Sequence, residues 1–435
     1  MNTLKCLGSG QEVTGSKYLI SGTNTNLLID CGIYQGQDAF KENSKALSSL
    51  GKGSFDGVVL THAHLDHIGF LPYLVRKGFE GKIFCTPATK DLARILWLDN
   101  TKIMSPELAW YYSEQDVKKT LAHMSLHEYE KCFSWNEFKI TLYPAGHILG
   151  AASPLIEWED VKIQFSGDLG RDDDILILPP SHAQAKIVVM ESTYGDRIHP
   201  EALPLKEFSD IFLEAKNSGG TVIIPAFSNA RSQNMMRFLE MVFEHFPQAK
   251  LPVFVDSPMT MKVTELYERY SKQIKTSASW VKKLKNHFQF VEFASQRKKL
   301  ASDSQAKIIL TASGMLTGGF VMEHLKNHIE NESTRILIVG FQSPGTIGAE
   351  LLKNSLQIEI SEQLYSVNAK IHNFTHFSSH RDCLGLKNWL EDQSPAKVFL
   401  THGEPAAQIA LKEYLDAHTK HQVEPIILDR TYPLK

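Results

Sequence analysis

Cysteine is scarce in this sequence, and the few cysteines present do not form a recognisable set. There are five of them, an odd number, and no two have the short spacing of a metal-binding pair. This argues against a disulfide framework and against a cysteine-based zinc site. We expect the cysteines to be buried or inert; they are Cys6, Cys31, Cys85, Cys132 and Cys383.

Long apolar runs are also absent. No stretch approaches the ~20 apolar residues that a helix needs to cross a bilayer. The first five residues lack a basic stretch followed by an apolar segment, so we expect no secretory signal, no membrane association and a cytoplasmic location. The net charge of -3 provides no overall attraction to nucleic acid. A composition of 43% hydrophobic and 22% charged residues, over 435 residues, is typical of a globular protein with two or three domains.

The sequence does contain an unusual cluster of histidines directly after the apolar run 58–60. Side chains alternate in extended backbone, so His62 and His64 point the same way and can bind one ion. Asp66 and His67, where an apolar run begins, can reach a second ion. Imidazole and carboxylate suit zinc, and two neighbouring ions form a hydrolytic device. A polar surface turn is the alternative interpretation.

Other residues that can bind metals follow predicted strands. His147 and Asp168 each come after a strand and a glycine, and His402 follows a strand and precedes a glycine. Glycine lets backbone segments approach closely. Asp30 also ends a strand, although an isolated aspartate there is equally typical of a turn. A lone His147 would favour a structural role, but the repeated pattern favours metal ligands.

The pattern of predicted elements changes near residue 201. Before it lie short buried strands, predicted at 17–20, 26–29, 58–60, 138–143, 161–165 and 185–190. Beyond it, strands at 221–227, 252–256, 307–311 and 335–341 alternate with amphipathic helices at 231–246, 259–270 and 320–329. This alternation predicts a parallel sheet in a separate αβα domain. The earlier pattern then returns, with a strand at 398–400, a helix at 406–414 and a strand near 425–428.

One window of the predicted αβα domain is strongly basic. Residues 262–299 contain ten Lys or Arg against three Glu, a net charge of +7. Such a run is often a solvated helix face. The alternative is a patch that attracts a phosphate backbone with strong salt dependence.

Taken in order, these motifs resemble those of the β-CASP family of nucleases, which have the metallo-β-lactamase fold. The motif residues are Asp30, His62 to His67, His147, Asp168, Glu191, His380 and His402. The resemblance covers nearly the whole chain and includes stand-alone prokaryotic relatives of the polyadenylation-factor nuclease subunit. It implies an α/β fold: an αββα metallo-β-lactamase sandwich formed by residues 1–200 and 369–435, with a β-CASP αβα domain inserted at 201–368.

The resemblance also implies roles for single residues. One zinc ion would be bound by His62, His64 and His147, the other by Asp66, His67 and His402, with Asp168 bridging the two. Asp30 would orient ligands or water, and Glu191 would hydrogen-bond His380, which protonates the leaving oxygen. Asp30, Asp66, Glu191 and His380 are the expected catalytic residues, and Ser378, Ser379 and Arg231 the expected substrate contacts.

Two segments depart from the family pattern. Ser379 and Arg381 stand where the family more often has small residues, and Ala230 replaces the usual glycine before Arg231. The first departure bears on substrate preference rather than on the chemistry. The second bears on the phosphate contact expected of Arg231.

The function implied is zinc-dependent hydrolysis of single-stranded RNA, admitted between the two domains. His402 favours RNA, because DNA-processing members tend to have valine there. Endonuclease action is expected, with a 5′-to-3′ exoribonuclease as the alternative; homodimers occur among prokaryotic relatives. A small-molecule hydrolase is disfavoured by the long insertion, and a non-catalytic RNA-binding scaffold by the complete ligand set.

Overall fold

The computed structural model describes residues 2–36, 38–47, 50, 53–391, 393 and 395–434. The strands in this part of the chain are, in order, β1 (Thr3–Gly8), β2 (Lys17–Ser21), β3 (Asn26–Ile29), β4 (Gly57–Val59), β5 (Lys82–Cys85), β6 (Met124–Leu126), β7 (Phe133–Trp135), β8 (Phe138–Pro144), β9 (Ala152–Trp158), β10 (Val161–Phe165), β11 (Ile187–Glu191), β12 (Thr221–Pro225), β13 (Val253–Asp256), β14 (Phe288–Phe290), β15 (Lys307–Thr311), β16 (Arg335–Ile338), β17 (Gln357–Ile360), β18 (Gln363–Ser366), β19 (Lys370–Asn373), β20 (Lys397–Thr401), β21 (Gln422–Pro425) and β22 (Thr431–Pro433). The α-helices are α1 (Ala39–Ala46), α2 (Leu65–Ile68), α3 (Leu71–Arg76), α4 (Pro87–Ile103), α5 (Glu114–His123), α6 (Leu205–Ser218), α7 (Arg231–His245), α8 (Pro258–Arg269), α9 (Ser279–His287), α10 (Ala294–Ser302), α11 (Val321–His328), α12 (Ile347–Leu352), α13 (Cys383–Glu391) and α14 (Pro405–His418). Each of these helices is too short or too polar to span a bilayer.

The chain forms two compact units. The first combines Met1–Ile198 with Ser379–Lys435, and the second, His199–Ser378, is inserted between these segments. The insertion begins two residues before the boundary expected from the sequence and ends ten residues after it. We call the two parts the sandwich unit and the inserted unit.

The sandwich unit contains two seven-stranded sheets. One has the order β22-β1-β2-β3-β4-β5-β6 and the other the order β21-β20-β11-β10-β9-β8-β7. The sheets pack face to face, since a single buried cluster combines residues of both, among them Ile29, Val59 and Phe84 from the first and Phe165 and Val189 from the second. Both sheets are mixed, and their parallel strands lie next to one another.

Consecutive apolar residues in β11 point alternately to the two faces of the second sheet, and both faces are buried. Ile187 and Val189 face the first sheet, whereas Val188 packs in a different cluster with Leu386 of α13 and Leu411 of α14. This is the period of two that a strand imposes on its side chains. Helices on one side and a sheet on the other explain why β11 is buried throughout. The expected αββα sandwich is confirmed.

The inserted unit is built on a six-stranded sheet of order β14-β13-β15-β12-β16-β19, in which every pairing is parallel. Helices connect its successive strands, as expected for an αβα domain. A small antiparallel hairpin, β17-β18, adds to one side. The sequence patterns predicted neither this hairpin nor α6.

The basic window of the inserted unit is less basic at its surface than its composition indicates. Nine of its ten cations are exposed, but Arg297 is buried. Both carboxylate oxygens of Asp256 accept bonds from Arg297, at 2.6 and 2.7 Å. Arg297 is therefore a structural residue, and its charge is compensated inside the unit.

Two further expectations need correction. The predicted strand near 425–428 lies earlier, at Gln422–Pro425, where it pairs in parallel with Lys397–Leu400 of β20. Four of the cysteines are buried as expected, but Cys132 is exposed.

Candidate metal centre

The candidate metal ligands lie at one edge of the sandwich unit because of strand direction. β3 and β4 are parallel neighbours, as are β10, β11 and β20, so within each sheet their carboxyl ends share an edge. β8 runs in the same direction as β10, since each is antiparallel to β9. The segments that follow these strands carry Asp30, His62, His147, Asp168 and His402.

The first group of donor atoms is rich in histidine. His64 Nδ1 lies 3.0 Å from His62 Nε2 and 3.3 Å from His147 Nε2. Asp168 Oδ2 lies 3.4 Å from His62 Nε2 and 3.6 Å from His147 Nε2. Four donor atoms from three separate segments of the chain therefore converge on one point.

The second group lies beside the first. His67 Nε2 is 3.3 Å from His402 Nε2, and Asp66 Oδ2 is 3.8 and 3.6 Å from these two nitrogens. Asp168 contributes its other oxygen here, since Oδ1 lies 3.4 Å from His67 Nε2. Asp168 thus directs one carboxylate oxygen at each group.

These distances fit divalent metal ions. Donors at bonding distance from a tetrahedral zinc ion lie about 3.3 Å apart, which is close to the spacings in the first group. Asp168 Oδ1 is also buried without a hydrogen-bond partner among the described residues. A buried carboxylate oxygen is costly unless something compensates it. The residues present therefore suit a pair of cations.

Most of the remaining ring nitrogens have partners that fix the orientation of the histidines. His67 Nδ1 donates to Asp30 Oδ2 at 2.7 Å, which leaves Nε2 as a lone-pair donor towards the second group. The Asp30 carboxylate also accepts bonds from the amide and hydroxyl of Thr61, at 2.8 and 2.7 Å. Thr193 Oγ1 lies 3.1 Å from His402 Nδ1. Asp30 therefore acts on the site through His67.

The pKa values of the histidines differ between the two groups of donor atoms. Burial, together with the nearby charge of His67, holds the pKa of His62 well below its ordinary value, so this imidazole is neutral and able to bind metal. Burial would also lower the pKa of His67, but three neighbouring carboxylates raise it well above its ordinary value. Without a cation, a proton on His67 compensates the carboxylate charge. A metal ion would take over that compensation.

His380 lies at the side of this centre, held by Glu191. Its Nδ1 is 2.9 Å from Glu191 Oε2, and its Nε2 is 4.0 Å from Asp168 Oδ2. Burial opposes the charged imidazole, but the Glu191 carboxylate raises the pKa of His380 to about 9. The side chain is 20% exposed, so a proton on Nε2 can reach a bound molecule.

The backbone is bent where the ligands leave their strands. Asp30 and His402 both have left-handed conformations, with φ of 57° and 49°. Gly167 also has a positive φ, 56°, and a side chain there would approach Thr61. Gly32 is needed for a different reason, because a Cβ atom would overlap the carbonyl of Asp66. Such strained positions persist when the surrounding structure holds them.

Some residues expected to contact substrate are placed differently from the metal ligands. The main-chain carbonyl of Ser379 accepts a bond from His147 Nδ1 at 3.3 Å, so this residue supports a ligand. Ser378 and Arg231 belong to the inserted unit. Their contacts with substrate remain predictions.

Two residues that contribute to the centre were not recognised in the sequence: Thr61 and Thr193. Thr61 precedes His62 directly, and Thr193 is two residues beyond Glu191. Hydroxyl groups beside predicted ligands are a usable signal for such supporting contacts, although it is weak because threonine is common.

Comparison with known families agrees with the fold and the site. Residues 11–91 match the Metallo-beta-lactamase superfamily, residues 232–351 the Beta-Casp domain, and residues 364–427 the Zn-dependent metallo-hydrolase RNA specificity domain. An αββα sandwich with paired His and Asp clusters at one sheet edge defines a metal-dependent hydrolase. With an inserted αβα unit of this kind, the chain belongs to the β-CASP family of the metallo-β-lactamase superfamily.

Individual relatives show how far the similarity extends. The chain is 33% identical over 419 residues to Ribonuclease TTHA0252 of Thermus thermophilus, covering 94% of each protein. It is 30% identical over 432 residues to Transcription termination factor FttA of Methanosarcina mazei, covering 93% of this chain and 67% of that protein. A match of 26% identity to Cleavage and polyadenylation specificity factor subunit 3-I of Arabidopsis thaliana covers 95% of this chain and 61% of that protein.

A solved structure also resembles the chain. It is a protein of unknown function from Enterococcus faecalis V583, with a TM-score of 0.61, 13% identity and 99% of each chain covered. At this identity the similarity concerns the fold alone.

Proposed function

We propose that this protein is a zinc-dependent ribonuclease that hydrolyses phosphodiester bonds in RNA, acting as an endonuclease. One observation carries the proposal. Asp168 directs one carboxylate oxygen at each of two groups of potential metal ligands, and a histidine with a raised pKa lies 4.0 Å from that carboxylate. Paired cations with an adjacent proton donor are suited to phosphodiester hydrolysis.

The residues expected to hold two zinc ions are the two groups described above. His62, His64 and His147 would hold one, Asp66, His67 and His402 the other, and Asp168 both. Such ions, when bound, supply an activated water and neutralise charge on the phosphate. Asp30 keeps the His67 ring in position through the 2.7 Å bond.

His380 is assigned the proton that leaves with the product. As the hydroxide formed from the activated water adds to phosphorus, the bond to the 3′ oxygen breaks, and the His380 Nε2 proton passes to that oxygen, which leaves His380 neutral. Glu191 favours the imidazolium and holds the ring through Nδ1. The products are a 3′ hydroxyl and a 5′ phosphate.

RNA as substrate is supported by the family. The RNA specificity domain matches residues 364–427, and Ribonuclease TTHA0252 is similar along almost its whole length. A histidine at residue 402 is consistent with RNA. We further propose that the RNA is single-stranded and is contacted by Ser378, Ser379 and Arg231.

A cytoplasmic location and a homodimeric state are also part of the proposal. Sedimentation of the purified protein tests whether it is a dimer.

Cleavage of matched linear and circular RNAs tests the proposal. The linear RNA carries a 5′ label, and both are incubated with and without a chelator. An endonuclease cuts both forms and yields internal labelled fragments, and chelation stops cleavage. Cleavage of the linear form only, releasing 5′ mononucleotides, would instead support the 5′-to-3′ exoribonuclease. Metal-independent cleavage would overturn the proposal.

A double variant tests the ligand assignment. Asp66→Asn with His67→Asn should abolish cleavage and reduce bound zinc, measured by atomic emission. The matched control is Asp210→Asn with His418→Asn, which makes the same chemical changes at two exposed positions. Retained cleavage by the Asp66 and His67 variant would refute the assignment.

A further inference from the structure

Arg381 follows His380 in the chain and is buried, with 4% of its surface exposed. An arginine is seldom buried without specific partners. Arg381 lies in a short segment between the inserted unit and α13. One of its partners, Gly385, is four residues further along the chain, but the others come from a segment more than 200 residues earlier, 211 residues away for Gly170.

The Arg381 side chain joins three places. Its Nε donates to the carbonyl of Gly170 at 2.7 Å, and its Nη1 donates to the carbonyl of Gly385 at 2.8 Å. Its Nη2 pairs with the carboxylate of Asp172. The main-chain amide of Arg381 donates to the carbonyl of Leu169 at 2.9 Å. All three guanidinium nitrogens are therefore used by the protein, which argues against a direct contact with substrate.

The segment that Arg381 binds comes directly after Asp168. Gly170 in turn contacts the segment carrying His147, because its amide donates to the carbonyl of Ala145 at 2.8 Å. A Cβ atom at Gly170 would overlap the Gly146 carbonyl, so no larger residue fits. Arg381 thus sits where the segments carrying His147, Asp168 and His380 meet.

We propose that Arg381 is a positioning residue that sets His380 against the scissile phosphate by tying its segment to the segment that follows Asp168. This inference rests on the proposed role of His380 as proton donor. Small errors in the position of a proton donor are costly, since about 1 Å of misplacement can lower a rate by roughly 100-fold. The planar guanidinium suits this task because it offers donors in a fixed fork.

Leaving-group dependence provides the test. Protonation matters for RNA, whose 3′ oxygen is a poor leaving group, but hardly for a 4-nitrophenyl phosphodiester of a nucleoside, whose nitrophenolate departs without a proton. Arg381→Met should lower kcat on RNA by roughly 100-fold and on the nitrophenyl ester by less than about threefold. Arg381→Lys should recover part of the loss on RNA. KM and bound zinc should stay the same in both variants.

Two reference variants make each outcome decisive. His380→Ala should show the same selective loss on RNA; an equal loss on both substrates would contradict the proposed role of His380 itself. Asp172→Asn, which changes only the more exposed partner, should lose less than about threefold on RNA. Suppose that His380→Ala lowers the rate on RNA but not on the nitrophenyl ester. The proposal for Arg381 is then wrong if Arg381→Met lowers both rates equally, reduces bound zinc, or leaves the rate on RNA unchanged. Thermal unfolding shows whether Arg381→Met remains folded.

Discussion

Asp168 in the sandwich unit and Asp256 in the inserted unit are both buried carboxylates beside histidines, but their charges are compensated differently. Asp256 accepts two bonds from Arg297 and one from His324 Nε2 at 2.8 Å. Burial would raise the pKa of Asp256, yet His324 and Arg297 lower it overall. Asp168 has no arginine or lysine partner within the described residues, and its Oδ1 has no hydrogen-bond partner there.

The difference distinguishes a structural ion pair from a metal centre. Where the protein supplies a cation of its own, a buried carboxylate is satisfied and needs no ligand. Where donors converge without an arginine or lysine, the compensating charge is only a proton on His67, and an exogenous cation can replace it. His and Asp composition alone would not separate the two clusters.

Asp168→Asn should produce the largest effect, because it replaces the oxygen directed at one group by an NH2 group and removes the negative charge that lies beside both groups. We expect RNA cleavage to fall on the order of 10³-fold or more, with loss of bound zinc. Atomic emission and RNA cleavage provide the measurements. Full zinc content in this variant would mean that Asp168 is no more a metal ligand than Asp256 is.

Arg297→Met should instead destabilise the fold. Among the described residues it leaves the buried Asp256 carboxylate with His324 as its one remaining side-chain partner, and breaking a buried ion pair costs about 3–5 kcal/mol. The contact of the guanidinium with the Phe320 ring, at 3.4 Å, is lost as well. Urea unfolding measures the loss, and zinc content per folded molecule should not change. Lys298→Met, at an exposed neighbouring position, is the control.

Asp30→Asn tests how much the hydrogen bond that holds the His67 ring contributes to zinc affinity. The amide is a weaker acceptor for His67 Nδ1, so the ring loses part of its orientation. We expect zinc affinity to fall by about 10- to 100-fold, measured by competition with a chelating dye. Asp56→Asn, which removes charge from a carboxylate that accepts one backbone bond, should leave affinity unchanged.

The smallest effect is expected at the surface of the inserted unit. Replacing Lys282, Lys283 and Lys285 by Gln removes exposed charges of α9, unlike the buried charge of Arg297. KM for RNA should rise severalfold at low salt, with kcat unchanged, and the difference should vanish at high salt. A salt-independent change would indicate a structural role for these lysines.

Much of this protein was predictable from local patterns. Apolar patterns predicted strands such as β10 and β12 to within two residues. The apolar residues of β10 alternate with polar ones, whereas β12 has a continuous apolar run, as expected of a strand buried on both faces. The helical spacing predicted a helix at 231–246, and α7 spans Arg231–His245. The change of pattern near residue 201 lies two residues from the start of the inserted unit, but its end lies ten residues beyond the expected position, where no comparable change of pattern marks it.

The sequence by itself determined which donor atoms are available and in what order they follow the strands, because strand periodicity and residue chemistry are local properties. Only the tertiary structure decided which of them meet: that Asp168 directs one oxygen at each group, that Arg297 is neutralised by Asp256, and that Arg381 joins the His380 segment to Gly170. These pairs are 41 and 211 residues apart in the latter two cases. The compensation of a buried charge depends on distance in space, and distance along the chain does not determine it.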